Sequence, residues 1–298
     1  MTQHGIKADV ADQLEQLSIN GGPLDPEGPY GPKDLGLFTD RTYRRLKREV
    51  VAEYFTLQDD IATEGACAVV TSGPPGAGKS TIVNSLGYQD GYRDIDADVV
   101  KTLLLRRCIA DGLYGEVLDI VLPDGHHIFA GELAALVHDA STDIANAIIE
   151  MATQQRENVV IQGTLRWSPH AKDMLNSLAF NEYTDVEIIS VEIDQKSAMQ
   201  QAIDRWWRSR ETAIGGDHDD ALKVRFTPKG AIAAAYRDST TTYSRCEGNA
   251  ESVYQEFQAK IDHLSLTRFR DGQKVPSADG PVIEVPVQEY RFGRGPTG

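Results

Sequence analysis

A chain of 298 residues with 41% hydrophobic and 25% charged residues has ordinary globular usage and is long enough for one large α/β domain or two small ones. Its net charge of −15, from 30 basic and 45 acidic residues, excludes general nucleic-acid or anionic-membrane binding, so an anionic substrate needs a local basic site. No stretch is apolar enough to span a bilayer, the first residues lack an apolar leader core, and Cys67, Cys108 and Cys246 are scattered without zinc spacing, so a cytoplasmic location is expected.

Residues 1 to 36 are rich in Gly, Pro and Asp, as in Gly21-Gly22-Pro23-Leu24-Asp25-Pro26, and predict a mobile or surface-draped lead-in with little helical or strand period. Behind a Thr39 or Asp40 cap, Tyr43, Leu46, Val50, Val51, Tyr54 and Leu57 recur at helical spacing. Ala66-Cys67-Ala68-Val69-Val70 is a short apolar run fit for a buried parallel strand, and the sequence from Ser80 to Leu86 reads as a helix stopped by Gly87. Between strand and helix lies Gly73-Pro74-Pro75-Gly76-Ala77-Gly78-Lys79-Ser80, a full G-x-x-x-x-G-K-[ST] phosphate-binding loop in the context that such a loop requires.

The glycines of that loop let backbone N–H groups turn onto phosphate oxygens; Lys79 reaches the β/γ-phosphates, and the Ser80 hydroxyl is placed to ligate Mg²⁺. Gly73, Gly76, Ala77, Gly78, Lys79, Ser80 and Thr81 are therefore the candidate ATP-binding residues. An alcohol attacking a γ-phosphoryl group needs its proton accepted and its oxygen held in line, so a carboxylate facing the phosphate loop is the natural base, and acids alternate in Asp94-Ile95-Asp96-Ala97-Asp98. Asp98 is the candidate base and Asp96 a candidate for holding the waters of Mg²⁺; in extended geometry Asp94, Asp96 and Asp98 share one face. A solvated acidic loop capping the next helix is the plain alternative.

Helical sequence continues to about Ala110, then a Gly-containing irregular stretch to Gly131, in which the doublet His126-His127 is given no role, and then a long amphipathic run over residues 132 to 155. Val159-Val160-Ile161-Gln162-Gly163 and Val186-Glu187-Ile188-Ile189-Ser190-Val191 are further buried strands, the latter followed by a helix over about 196 to 210. Strands alternating with helices predict an α/β fold of P-loop NTPase type, a doubly wound, mainly parallel sheet flanked by helices with ligands at the carboxyl ends of its strands. Asp204-Arg205-Trp206-Trp207-Arg208-Ser209-Arg210 is a basic helix face, and solvated arginines over packed Trp are expected for Arg208 and Arg210. Gly215-Gly216-Asp217-His218-Asp219-Asp220 looks like a flexible lid connection.

The phosphate loop, Asp96-Ala97-Asp98, Gly163-Thr164-Leu165-Arg166, Arg205 and Val224-Arg225-Phe226-Thr227-Pro228-Lys229 together resemble the zeta toxin family of P-loop kinases. Phe38-Thr39-Asp40 resembles the family's start and His263-Leu264-Ser265-Leu266-Thr267-Arg268-Phe269 its closing strand. The implied layout is a lead-in over 1–36, a kinase domain over 37–275 with a helical lid, and a tail over 276–298. The resemblance implies ATP and Mg²⁺ as cofactors and phosphorylation of the 3′-hydroxyl of the amino sugar in UDP-N-acetylglucosamine. It also implies that a small helical antitoxin, as several members of the family have, could be a partner, while the acidic charge speaks against nucleic acid or membrane. It puts the catalytic aspartate at Asp98, the phosphate-binding arginines at Arg205 and Arg225, and substrate contacts at Asp98, Gln162, Thr164 and Arg166.

Two positions depart from the family's pattern. Gln162 stands where relatives carry a substrate-contacting Glu, and Asn146 where a second Glu is expected. Amides donate as well as accept, which leaves the acceptor open to a dinucleotide, another nucleoside or an antibiotic. A nucleotide-gated interaction module is the reading from a different class.

Overall fold

A computed structural model describes residues 3–31, 40–63, 65–88, 90–277 and 280–292. Phe38, Thr39 and the last six residues of the expected tail lie outside them. The chain divides into two compact units. One comprises Met1–Leu57, Ala97–Asn146 and Ala202–Lys229; the other comprises Gln58–Asp96, Ala147–Gln201 and Gly230–Gly298. No helix among the described residues is long and apolar enough to cross a membrane.

The second unit holds the sheet. Its strands are β1 (Cys67–Ser72), β2 (Arg93–Asp96), β3 (Val159–Gln162), β4 (Asp185–Val191), β5 (His263–Ser277) and β6 (Gly280–Phe292), in the order β2-β3-β1-β4-β5-β6. All neighbours are parallel except β5 and β6. Val69, Val70, Val160, Ile161, Ile188 and Ile189 are buried, as continuous apolar runs must be in a sheet covered on both faces. Helices Ser168–Phe180 and Arg245–Phe257 bury Leu175, Leu178, Val253 and Phe257 in this unit. From central β1 the chain winds to β3 on one side and β4 on the other, so the carboxyl end of β1 is the switch point at which α/β sheets take ligands. The expected doubly wound, mainly parallel sheet is what forms.

The closing strand does not stop at Phe269. It runs on as β5 and returns as the antiparallel edge strand β6 where a tail was expected. Pro281 and Pro286 fall in that edge strand, the position in a sheet where a missing N–H donor is tolerated.

In the other unit, helix Ala97–Ala110 buries Val100, Leu103, Leu104, Leu105 and Cys108, and the short 3₁₀ segment Ala130–Ala135 buries Leu133. Trp206, on helix Gln195–Gly215, meets Phe226 edge-on at 5.2 Å between ring centroids. The lead-in differs from its expectation: residues Gln3–Leu17 form a helix. Its apolar stripe is narrow, with Val10 and Leu14 buried one turn apart, and Lys7 pairs with Asp204 while Lys229 reaches Asp12. A stripe that thin carries little periodic signal, and tertiary contacts hold the helix.

Candidate functional site

The phosphate loop leaves β1 at Ser72 and enters helix Lys79–Ser85. Gly73, with φ of +138°, leaves no room for a side chain: a Cβ there would stand 2.0 Å from the Val191 carbonyl oxygen at the end of β4. A Cβ on Gly76, at φ of +86°, would stand 2.4 Å from the carbonyl of Ala198. Both glycines are thus demanded by space as well as by φ. The Lys79 ammonium folds back over the loop, donating to the carbonyls of Gly73 at 2.9 Å and Pro74 at 3.0 Å. A cation held over a glycine-rich loop by the loop's own carbonyls is the kind of charge a polyphosphate site requires.

Beside the loop lies a chain of hydrogen bonds that joins the start of a helix, the end of β3 and the middle of β2. Ser80 Oγ donates to Gln162 Oε1 at 2.9 Å, and the Gln162 amide donates to both Asp94 carboxylate oxygens at 2.8 and 2.9 Å. Asp94 sits mid-strand in β2, its main-chain N–H bonded to Gln58 and its carboxyl pushed up by burial, against which the Gln162 bond works. Asp96 pairs in register with Gln162 at the end of β2. Parallel pairing therefore brings acids of β2 beside the carboxyl end of β3.

The turn after β3 is tied to the loop and to the helix behind it. Thr71 Oγ1 donates to the Gly163 carbonyl at 3.0 Å and accepts from the Gly163 N–H at 2.9 Å, and Gly73 N–H donates to the Thr164 carbonyl at 3.1 Å. Asn249 holds the far side through the carbonyls of Leu165, at 2.8 Å, and Arg166, at 2.9 Å. Leu165 carries a φ of +49°, a strained conformation for a branched residue that these bonds enforce. Thr164 and Arg166 thus stand on a turn of determined shape after β3, tied to the start of the phosphate loop.

Glu192, the residue after β4, is fully buried and accepts from the N–H and hydroxyl of Ser244 at 3.0 and 2.9 Å. Burial pushes its carboxyl up to about 8 from 4.5; the Ser244 bonds and Lys79 pull it down, and Glu247 pushes it further up. Between these two values the folded chain holds a proton that the unfolded chain has released, so stability falls as pH rises through that window. Glu192→Gln should flatten this slope, worth on the order of a few kcal/mol, in denaturant melts at pH values from about 4.5 to 8. A variant with the wild-type slope would show that Glu192 ionises freely.

The remaining candidates belong to the first unit. β2 ends at Asp96 and a helix begins at Ala97, so Asp98 sits in the first helical turn rather than on an extended face with Asp94 and Asp96. The expectation of three aligned acids fails because the alternation ends where the helix starts. Burial alone would raise the Asp98 carboxyl, but the Lys101 ammonium at 2.8 Å, then Arg225 and Arg205, bring it down to about 2. Arg225 donates to the main-chain carbonyls of Asp98, at 3.1 Å, Gly131 and Leu222, and to the Thr102 hydroxyl at 2.6 Å. It pins the start of the Asp98 helix; Arg205 is exposed.

Arg210 is the correction on the basic helix face. It is wholly buried, not solvated, between Asp124 and Glu132, and Glu132 also accepts from the indole N–H of Trp206. Two carboxylates and the carbonyls of His126 and His127 satisfy the guanidinium, so the irregular stretch before Gly131 is anchored from inside. Asn146 stands exposed on helix His138–Gln154, and Asp217 caps helix His218–Lys223 within the expected lid connection by accepting from the N–H groups of Asp219 and Asp220. Thr71, Glu192 and Asn249 carry no local signal in the sequence, and Asp94, legible there as one of the alternating acids, is given no role there.

The family model described as Zeta toxin matches residues 129–262. The chain resembles the zeta toxins. The zeta toxin match contains Asn146, Gln162, Thr164, Arg166, Arg205 and Arg225, while the phosphate loop and Asp98 precede it. A calmodulin calcium-dependent NAD kinase of Arabidopsis thaliana is 29% identical over 170 residues, which are 56% of this chain and 31% of that protein's length. Among solved structures, one from the PezAT chromosomal toxin–antitoxin system of Streptococcus pneumoniae superposes with a TM-score of 0.48 at 14% identity over 78% of each chain. The AvrRxo1-ORF1:-ORF2 complex gives a TM-score of 0.44 at 14% identity, covering 82% of this chain and 66% of that one.

Proposed function

We propose that this zeta-toxin-like chain is an ATP- and Mg²⁺-dependent kinase that phosphorylates an alcohol of a nucleotide-linked small molecule. The observation that carries the reading is the phosphate loop: two glycines without room for a Cβ, Lys79 folded over the loop, and a Ser80 hydroxyl whose proton is already taken by Gln162. Mg²⁺ fits there because a Ser80 hydroxyl that donates to Gln162 keeps its lone pairs for a cation, and such an ion needs only one or two protein oxygens beside phosphates and water. Bound, it neutralises the charge that develops on the phosphates.

Lys79 and the loop amides hold the triphosphate, and Thr164 and Arg166 on their tied turn contact the acceptor. Asp98, ionised at neutral pH, accepts the proton of the attacking hydroxyl as the new O–P bond forms, and the bond from the γ-phosphorus to the bridging oxygen breaks to leave ADP. So acidic a carboxylate works chiefly by orienting the hydroxyl, which suits a loose transition state that asks for positioning more than proton abstraction. Arg205 supplies a guanidinium for the transferring oxygens, and Arg225 sets the place of Asp98 as well as adding charge.

For the acceptor, a dinucleotide such as NAD is better supported than UDP-N-acetylglucosamine. The relative at 29% identity is named an NAD kinase, and the two carboxylates of the sugar-nucleotide pattern are here Gln162, turned to Ser80 and Asp94, and the exposed Asn146. UDP-N-acetylglucosamine, with a small antitoxin as partner, is the second reading, favoured by the zeta toxin match. With labelled ATP and an equimolar mixture of NAD, UDP-sugars and nucleosides, phosphate should enter NAD with the highest kcat/KM. Preference for UDP-N-acetylglucosamine would reverse the order, and no labelled product from any acceptor would discard the kinase.

A further inference from the structure

Gln162 is used up on the nucleotide side. It is the partner of Ser80 and Asp94, and both ends of its amide are satisfied by them. The direction of these bonds is what matters. A carboxylate accepts only, so with both Asp94 oxygens 2.8 and 2.9 Å from Nε2 the amide of Gln162 is held in one of its two flips, and Oε1 is turned to Ser80. Oε1 likewise only accepts, so the Ser80 hydroxyl must donate to it, and the serine lone pairs are left for a cation.

We infer that Asp94 and Gln162 form a relay that positions Ser80 as a divalent-cation ligand, making Gln162 a positioning residue for metal-bound nucleotide rather than a reader of the acceptor. This rests on the nucleotide-binding reading above and goes beyond it, because it assigns Asp94 a role and gives the amide at 162 a reason. A glutamate there would face the Asp94 carboxylate within hydrogen-bond distance and one of the two would have to hold a proton; a glutamine needs none. The three residues lie in one unit and are held by strand register, Asp94 and Gln162 on the adjacent strands β2 and β3 and Ser80 at the start of the helix after β1. The relay is therefore preformed and costs no rearrangement when the nucleotide arrives.

The test is calorimetric titration of ATP into the full chain with saturating Mg²⁺ and again with EDTA, so that the ratio of the two dissociation constants measures the coupling of metal to nucleotide. Gln162→Ala should shrink that ratio by about three- to tenfold, the loss of one hydrogen bond's orienting effect, with the EDTA affinity unchanged. Asp94→Asn should shrink it in the same sense by less, since an asparagine still accepts from the Gln162 amide through its oxygen, and it serves where Gln162→Ala does not fold. A residue that merely supports the fold would weaken both affinities together and leave the ratio at the wild-type value; that result, or an unchanged ratio in either folded variant, overturns the relay. Failure of the wild type to bind ATP at all would instead overturn the nucleotide-binding reading on which it rests.

Discussion

Asp98→Asn should lower turnover by roughly 10² to 10⁴ and leave ATP affinity nearly unaltered, the usual worth of a positioned proton acceptor. Asparagine is close to isosteric and keeps the main-chain carbonyl that Arg225 and Thr102 bind, so the start of the helix survives and only the carboxylate is lost. The pH profile is a second check. With Lys101, Arg225 and Arg205 holding the carboxyl down to about 2 against the pull of burial, the base stays ionised well into acid, and its loss by protonation belongs below pH about 4. The sign follows from a depressed folded value: the ionised form is favoured by folding and that advantage disappears only as pH falls towards 2. Single-turnover rates with calorimetry on the same preparations decide it. Loss of ATP binding, or a melting point far below wild type, would make Asp98 a structural residue.

Lys79→Ala should reduce kcat by roughly 10² to 10³ or more and weaken ATP binding, because a fixed cation aimed at developing phosphate charge carries that much in comparable transition states. The side chain bridges the carbonyls of Gly73 and Pro74, so it also braces the loop. Lys79→Arg separates the two roles: charge is kept, but a planar fork does not fit where a compact ammonium does, so activity should remain low. Wild-type affinity and turnover in Lys79→Ala would remove the phosphate-loop assignment and with it the kinase.

Local pattern carried the parts of this protein that need few residues and short separations. Gly73 to Ser80 is contiguous, so one look at spacing shows a loop whose glycines the structure then finds pressed against Val191 and Ala198. The strands were legible as apolar runs because a sheet buried on both faces asks the same of every position in β1, β3 and β4. Helix Gln3–Leu17 was missed for the opposite reason, a buried stripe of Val10, Ala11 and Leu14 too thin to show a period among polar neighbours. Arg210 illustrates the same limit from the other side: its residue type says solvent, and only two carboxylates from a distant stretch allow it to be buried.

The sequence by itself supplied a complete phosphate-loop motif and the parallel α/β sheet that presents it, since both follow from residue type at fixed local offsets. Tertiary structure alone decided what Gln162 does. As the last residue of a strand it could have faced any ligand; the parallel register pairs Asp96 with Gln162 and leaves Asp94 two residues back on the same face of β2, where its carboxylate takes the Gln162 amide and so turns its oxygen to Ser80. Asp98 was likewise placed by a helix start that cuts an acidic alternation short. Hydrogen-bond direction and charge coupling depend on atoms brought within about 3 Å from residues far apart in the chain, and no local period encodes that distance.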